Sequence, residues 1–305
     1  MKGLFSYLIF PGFLFSAFIG LIAGWLDRKI TARIQWRKGP PWYQNFLDIL
    51  KLLGKETIIP EGTSALTFIF SPFFGFLSAV LATTILGRSI IFPREGFLGD
   101  LIVVLYLLMI PVISIIIGAS ASHNPLASLG ASREMKMALG YELFFLFCVS
   151  VVIIKTNGAI QLGSIINHQM SFKSNIFSFS GFLAFLLLVL FYLPAKLGFV
   201  PFDAPEAEQE IIAGTMIEYS GLGLAIFKLT KAILLYTMPV LLIVLFLGKD
   251  LSALFLILKY LAILLTVIII KNTNPRLRID QVLRLFWGPV GILAFLAVIL
   301  AGLGY

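Results

Sequence analysis

The stretch LIVVLYLLMIPVISIIIGASA, Leu101 to Ala121, decides the fold class, because it is long and holds no Asp, Glu, Lys or Arg. Wound as an α-helix at about 1.5 Å per residue, it reaches roughly 30 Å, the thickness of a bilayer's hydrocarbon core. Working outward, comparable runs recur at Leu4–Leu26, Ala65–Leu86, Ala138–Ile154, Phe177–Phe199, Leu224–Leu247, Leu251–Ile270 and Leu285–Leu303. Of the 305 residues, 59% are hydrophobic and 12% charged, against roughly a quarter charged in a soluble domain. The expectation is an all-α integral membrane protein of about eight transmembrane helices. The runs follow one another without a Ser/Gly-rich or Pro-rich linker, so residues 1–305 read as a single polytopic membrane domain. The first run is followed, not preceded, by basic residues, and reads as a retained span rather than a signal peptide.

Eight spans place loops alternately on two sides, and cytoplasmic loops carry the excess of Lys and Arg. Loops near residues 27–64, 122–137, 200–223 and 271–284 hold Arg28, Lys29, Arg33, Arg37, Lys38, Lys51, Lys55, Arg133, Lys136, Lys271, Arg276, Arg278 and Arg284. The other side holds only Lys2, Arg88, Arg94, Lys155, Lys173 and Lys249. Both termini are therefore expected outside a prokaryotic cytoplasmic membrane, with the four basic loops inside. The net charge of +8 belongs to this orientation and to the lipid bilayer, and no nucleic-acid partner is implied.

Within the first basic loop, Phe46, Ile49, Leu50 and Leu53 recur at helical spacing while Asp48, Lys51 and Lys55 fall elsewhere. This predicts an interfacial amphipathic helix in the first cytoplasmic loop, either a plain anchor or a functional element. Cys148 is the single cysteine and lies in an apolar run, so this chain by itself offers neither a disulfide framework nor a cluster site. His123 and His168 stand apart in presumed loops. Gly-rich phosphate loops, paired CxxC motifs and HExxH are missing, so no cofactor or metal site is expected in the chain.

Chemistry concentrates instead in PFDAPEAEQEIIAGTMIEYS, Pro201 to Ser220. It carries Asp203, Glu206, Glu208, Glu210 and Glu218, with no Lys or Arg between Lys196 and Lys228. Asp203, Pro205 and Glu206 fit a helix N-cap and first turn, which accounts for two of the acids. In a continuous helix Glu206 and Glu210 would share a face and repel unless protons or outside cations relieve them. Glu142, in LGYELFFLF, lies among apolar residues near the start of a span; it is either a proton-relay carboxylate or a helix-end acid paired with Arg133 or Lys136. Lys228 and Lys231 are open to the same two readings, relay partner or interfacial snorkelling.

Taken together, DRKITARIQWRKGPP (27–41), FLDILKLLGKE (46–56), GASREMKMALGYE (130–142), PFDAPEAEQEIIAG with EYSG (201–221) and NPRLRIDQVLRLFW (274–287) resemble the NADH dehydrogenase subunit 1 family. In bacteria that family is the H subunit of complex I, with relatives in membrane-bound nickel-iron hydrogenases. The resemblance implies a membrane anchor whose basic loops grip the iron-sulfur and catalytic subunits of a soluble arm and whose acids lead toward antiporter-like membrane subunits. On it, Glu142, Asp203, Glu206, Glu208, Glu210 and Glu218 fall on a proton pathway. Arg28, Arg33, Arg37, Lys38, Arg276 and Arg278 fall on the docking surface. Iron-sulfur clusters, and in the hydrogenase branch a nickel-iron site, would belong to partner subunits.

Complex I members usually carry a longer Gly-rich insertion after RxGP, a Glu in place of Asp27 and KED where Lys55–Thr57 read KET. The compact wording here is more similar to the energy-converting hydrogenases and related archaeal complexes, which use soluble donors such as ferredoxin. The implied role is a proton-coupling anchor subunit of a ferredoxin-linked respiratory redox complex, a membrane-bound hydrogenase or a related sulfur-reducing complex. The alternatives are a quinone-site subunit of a true NADH:quinone oxidoreductase and a free-standing secondary transporter.

Overall fold

The computed structural model describes residues 2–171, 176, 178–212 and 214–305; Lys173 and Phe177 thus lie outside the described residues. Among those described there is no strand, and eight helices are long and apolar enough to cross a membrane. In chain order the helices are α1 (Lys2–Leu8), α2 (Phe13–Ile34), α3 (Gln44–Leu53), α4 (Ala65–Ile91), α5 (Asp100–Ala121), α6 (Pro125–Lys155), α7 (Leu162–Met170) and α8 (Phe179–Leu187). After these come α9 (Leu193–Lys196), α10 (Glu208–Ile211), α11 (Gly221–Phe246), α12 (Ala253–Thr273), α13 (Ile279–Leu285) and α14 (Gly291–Gly302). A π turn, Leu188–Tyr192, fuses α8 to α9, and another, Phe286–Val290, fuses α13 to α14 across a non-helical Gly288.

The departures from the expected limits that matter most for the site fall in the first and fourth spans. The first span is broken between α1 and α2, where Pro11 lacks a donor and Gly12 is compulsory: a Cβ there would lie 2.0 Å from the Tyr7 carbonyl. Helix α2 also runs past Leu26 to Ile34, lifting Asp27, Arg28 and Arg33 onto a helical extension. Helix α6 begins at Pro125 rather than Ala138, so Arg133 and Lys136 lie on a helix and not in a loop. Asn124 caps it by accepting the Leu126 N–H at 2.8 Å, with Pro125 in the first turn.

Helix α11 is the axis of the bundle. From Ile233 to Phe246 every residue is buried, as a helix apolar on all sides must be. It touches α2 where Gly20 meets the Ala232 backbone, so closely that a Cβ on Gly20 would lie 2.0 Å from the Ala232 oxygen. Thr237 and Thr83 link it to α4 through a buried 2.6 Å hydrogen bond.

The loops expected on one side do gather at one end. Ile58 N–H donates to Ser220 Oγ at 2.9 Å, Leu277 N–H to the Pro201 carbonyl at 3.0 Å, and Arg133 to the Ala204 carbonyl at 3.1 Å. Helix α3 forms at this end, but its polar side turns inward. Asn45 donates to the Leu21 carbonyl at 2.9 Å and Arg28 bonds Asn45 and Asp48, while Leu47, Leu50 and Leu53 are exposed. A helix tethered this way has its polar face on α2 and turns Leu47, Leu50 and Leu53 away from the bundle.

Candidate functional site

Carboxylates of the 201–220 segment do not share one helix. Ala204–Glu206 is a 3₁₀ turn, Ala207 is extended, and α10 is a single turn. Each acid whose side chain is described instead meets a partner from a remote part of the chain, which removes the expected like-charge repulsion. Asp203 makes no cap; its carboxylate accepts two bonds from Arg276, at 2.7 and 2.5 Å, the fork-to-fork geometry that suits guanidinium. Glu206 accepts from Lys231 of α11. Glu210 accepts from Arg133 of α6 at 2.6 Å, and the Arg133 hydrogen bond and charge hold its carboxyl below the usual range. Glu218 accepts from Asn124 Nδ2 at 2.5 Å. The Glu208 side chain lies outside the described residues.

Deeper in the bundle, Glu142 of α6 accepts from Lys196, the last residue of α9. The Lys196 side chain is 0% exposed and that of Glu142 12%, so this pair is shielded from water while the Glu210–Arg133 pair, 52% and 24% exposed, is not. Glu142 therefore pairs with neither Arg133 nor Lys136. Buried charges need partners, and here the partner comes from another span. The Lys196 ammonium also lies 5.2 Å from the centre of the Tyr141 ring.

Between the surface pairs and this deep pair sits Glu134, one α6 residue after Arg133. With Lys196, Asp203, Glu206 and Lys231 it lines a cavity of about 40 Å³, room for roughly three water molecules. The result is a run of ionisable groups around one cavity, Arg276–Asp203, Lys231–Glu206, Glu134 and Lys196–Glu142, in which Glu206 and Glu134 are like-charged neighbours set between Lys231 and Lys196. An adjoining cavity of about 380 Å³ opens between α2, α3 and α11 and is edged by Asp27, Arg28, Asp48, Glu206, Lys228 and Lys231. Asp27 is itself buried and accepts from Lys271 at 2.7 Å. Burial pushes the Asp48 carboxyl up, but hydrogen bonds from Gln44 and Arg28 outweigh it and hold the group below its ordinary value. Outside the spans, Tyr219 stacks on Phe68 with ring centres 4.2 Å apart, donates to the Phe68 carbonyl, and has its hydroxyl pKa raised by burial.

Two members of this set, Glu134 and Lys196, do not stand out in the sequence. Glu134 is hidden when residues 122–137 are read as a loop, although Asn124 followed by Pro125 is a helix-start signal. Lys196 falls inside the expected Phe177–Phe199 run, and nothing in the sequence marks it as the partner of an acid. Lys231 is an ion-pair partner inside the site rather than a snorkelling residue. Of the basic residues expected to dock a partner, Arg33, Arg37, Lys38 and Arg278 are exposed, Arg28 is tied to Asp48 at 3.1 Å, and Arg276 is held by Asp203. Among the described residues no three of His, Cys, Asp and Glu gather as a metal site.

An all-helical chain with, among its described residues, eight helices long and apolar enough to cross a membrane defines a class, the polytopic membrane proteins. The chain belongs to the NADH dehydrogenase family, whose model matches residues 7–302. It is 33% identical over 330 aligned positions to the H subunit of the NADH-quinone oxidoreductase of Thermomicrobium roseum, covering 98% of this chain and 95% of that protein. To the corresponding NADH-quinone oxidoreductase protein of Geobacillus sp. (strain WCH70) it is 31% identical over 293, covering 91% and 86%. Among solved structures it is similar to a chain of the membrane-bound sulfane sulfur reductase, described as an archaeal respiratory membrane complex. The TM-score is 0.85, with 29% identity, 98% of this chain and 99% of that one.

Proposed function

We propose that this protein is the membrane anchor and ion-coupling subunit of a multisubunit respiratory redox complex, with its loop end in the cytoplasm and both termini outside. Electron transfer in a docked soluble arm would be linked to ion movement through Glu206, Lys231, Glu134, Lys196 and Glu142. One observation carries the reading: a small cavity lined by Glu134, Lys196, Asp203, Glu206 and Lys231 lies between the Lys231–Glu206 pair and the buried Lys196–Glu142 pair. A proton entering at Glu206 weakens its hold on Lys231 and alters the field at Glu134, and the disturbance passes inward to Lys196 and Glu142. Asp203, Glu210 and Glu218 have a different part in this scheme. Their partners pin the segment in place, and the depressed Glu210 keeps its charge under working conditions.

Within this scheme the soluble arm holds the iron-sulfur clusters, and its electron source is ferredoxin with protons or sulfur species as acceptor. The compact basic loop and the likeness to the sulfane sulfur reductase chain support this branch. A quinone-site role is the second reading, favoured by the names of the relatives and by the 380 Å³ cavity opening beside α3. A free-standing transporter draws no support from a family of complex subunits. Inverted membrane vesicles given reduced ferredoxin and a sulfur acceptor or protons should take up ions. Uptake that requires a quinone would move the assignment to the second reading, and electron transfer without uptake under either condition would remove the coupling role.

A further inference from the structure

The turn that follows α2 carries an unusual arrangement. Trp36 is 98% exposed, more than any other large hydrophobic residue described. Its φ is +57°, a left-handed backbone that side chains rarely adopt, and the turn is closed by Trp36 N–H to the Arg33 carbonyl and Arg37 N–H to the Ala32 carbonyl at 2.7 Å. From there the chain doubles back along α2. Gly39 lies so close to Lys29 that a Cβ would be 2.8 Å from its Cδ, and the Trp25 indole N–H donates to the Pro40 carbonyl at 3.1 Å. The turn is therefore braced against α2 on its return side, and Trp36 stands at its tip. Arg33, Arg37 and Lys38 surround it, all exposed, and none takes part in an ion pair among the described residues.

An aromatic ring ringed by cations suits either a lipid headgroup layer or a protein, and the height of the tip separates them. Asp27, the first charged residue of α2, pairs with Lys271 in the last turn of α12, and the two are taken as the edge of the hydrocarbon layer. From Asp27, α2 climbs about 10 Å more to Ile34, whereas the headgroup layer adds only roughly 6 Å to the hydrocarbon edge. The tip therefore projects beyond the lipid. Exposed Trp flanked by Arg is the composition of binding hot spots, where a large rigid ring fills a pocket and the charges steer its rim. We propose that Trp36 is the apolar anchor of a contact with another protein subunit, seated in an apolar pocket whose rim carries carboxylates. This rests on the docking role above and adds the residue that holds the partner once charge has brought it in.

The test uses the complete complex in mild detergent. Trp36→Ala should cut retention of the soluble arm about tenfold at low and at high salt, because the lost contact is apolar. Trp36→Phe should restore most of it. Arg33→Glu with Arg37→Glu should release the arm mainly at low salt, where steering matters. Arm retention at wild-type level in Trp36→Ala, with the arginine reversals still releasing it, would overturn the anchor and leave the docking role standing; retention in both would remove the docking role as well. Where the alanine variant is lost to misfolding, a photoreactive label on Trp36→Cys answers the question, since Cys148 is buried and stays unlabelled. Crosslinks to an arm subunit are expected, and crosslinks to lipid or to a second copy of this chain would overturn the proposal.

Discussion

The two ends of this molecule solve one problem, how to quiet polar groups at the mouths of apolar helices, with different chemistry. At the end opposite the basic loops most ties are neutral, beside an exposed Arg88–Glu95 pair at 3.2 Å and a buried Asp100 carboxylate that accepts the Leu162 N–H at 2.6 Å. Gln169 of α7 donates to the Val244 and Leu245 carbonyls at 2.8 and 2.9 Å and accepts from Gly248 N–H, closing the last turn of α11; Gln161 donates to the Gly96 carbonyl at 2.6 Å. At the loop end the solution is ionic, with pairs reaching from α6, α11 and the chain after α12 into one acidic segment. An amide clamp holds a fixed number of protons whatever its surroundings. An ion pair changes when either member gains or loses one, so a pair of this kind can pass a proton on and an amide clamp cannot. On the proposed reading, the comparison contrasts an end held mainly by amides that do not titrate with an end held mainly by pairs that can.

Breaking the deep pair should produce the largest effect on stability. Lys196→Met leaves Glu142 charged and unpartnered inside the bundle, a loss of about 3–5 kcal/mol. Adding Glu142→Gln should recover most of it, and thermal unfolding of both variants in detergent measures the recovery. A double variant no more stable than Lys196→Met alone would mean the pair is not where the cost arises.

Next in size is the amide clamp. Gln169→Leu strands backbone groups of α11 and should cost roughly 1–3 kcal/mol while leaving ions moved per electron unchanged. A changed ratio would break the distinction between the two ends.

The exposed pair should matter least. Arg133→Gln is expected to shift stability by roughly 0–1 kcal/mol. The Glu210 carboxyl is held below its ordinary value in the folded protein, so its contribution is present above the unfolded value near ~4.3 and is lost as pH falls through the lowered folded one. Carboxyl titration followed by infrared difference spectroscopy should show the Glu210 midpoint rising to the ordinary range in Arg133→Gln. An unmoved midpoint would mean Arg133 is not its partner in solution.

These pairings explain which parts can be read from sequence. Long apolar runs report themselves, so the eight spans, the helix at 44–53 and the gathering of the loops are legible. Helix ends are less so, because charged residues such as Arg133, Glu134 and Lys136 look like loop while being good helix formers. The acids of residues 203–218 are visible as a group, and so is Glu142, but their partners are not. Glu142 and Lys196 are brought together by packing of α6 against α9, and Asp203 meets Arg276 only because the chain after α12 returns to Pro201. A pattern that reads as mutual repulsion is therefore a set of separate pairs.

The central claim is that the buried pair is part of the coupling route, and Glu142→Gln tests it most directly, since it keeps the side chain's shape and removes its charge. The complex carrying it should be reconstituted in vesicles, with subunit composition checked and ion uptake and electron transfer recorded together. The account predicts an assembled complex that still transfers electrons but moves at most about a tenth of the ions per electron. Wild-type uptake per electron in that assembled complex would contradict it and leave Glu142 and Lys196 as a structural tie between two spans.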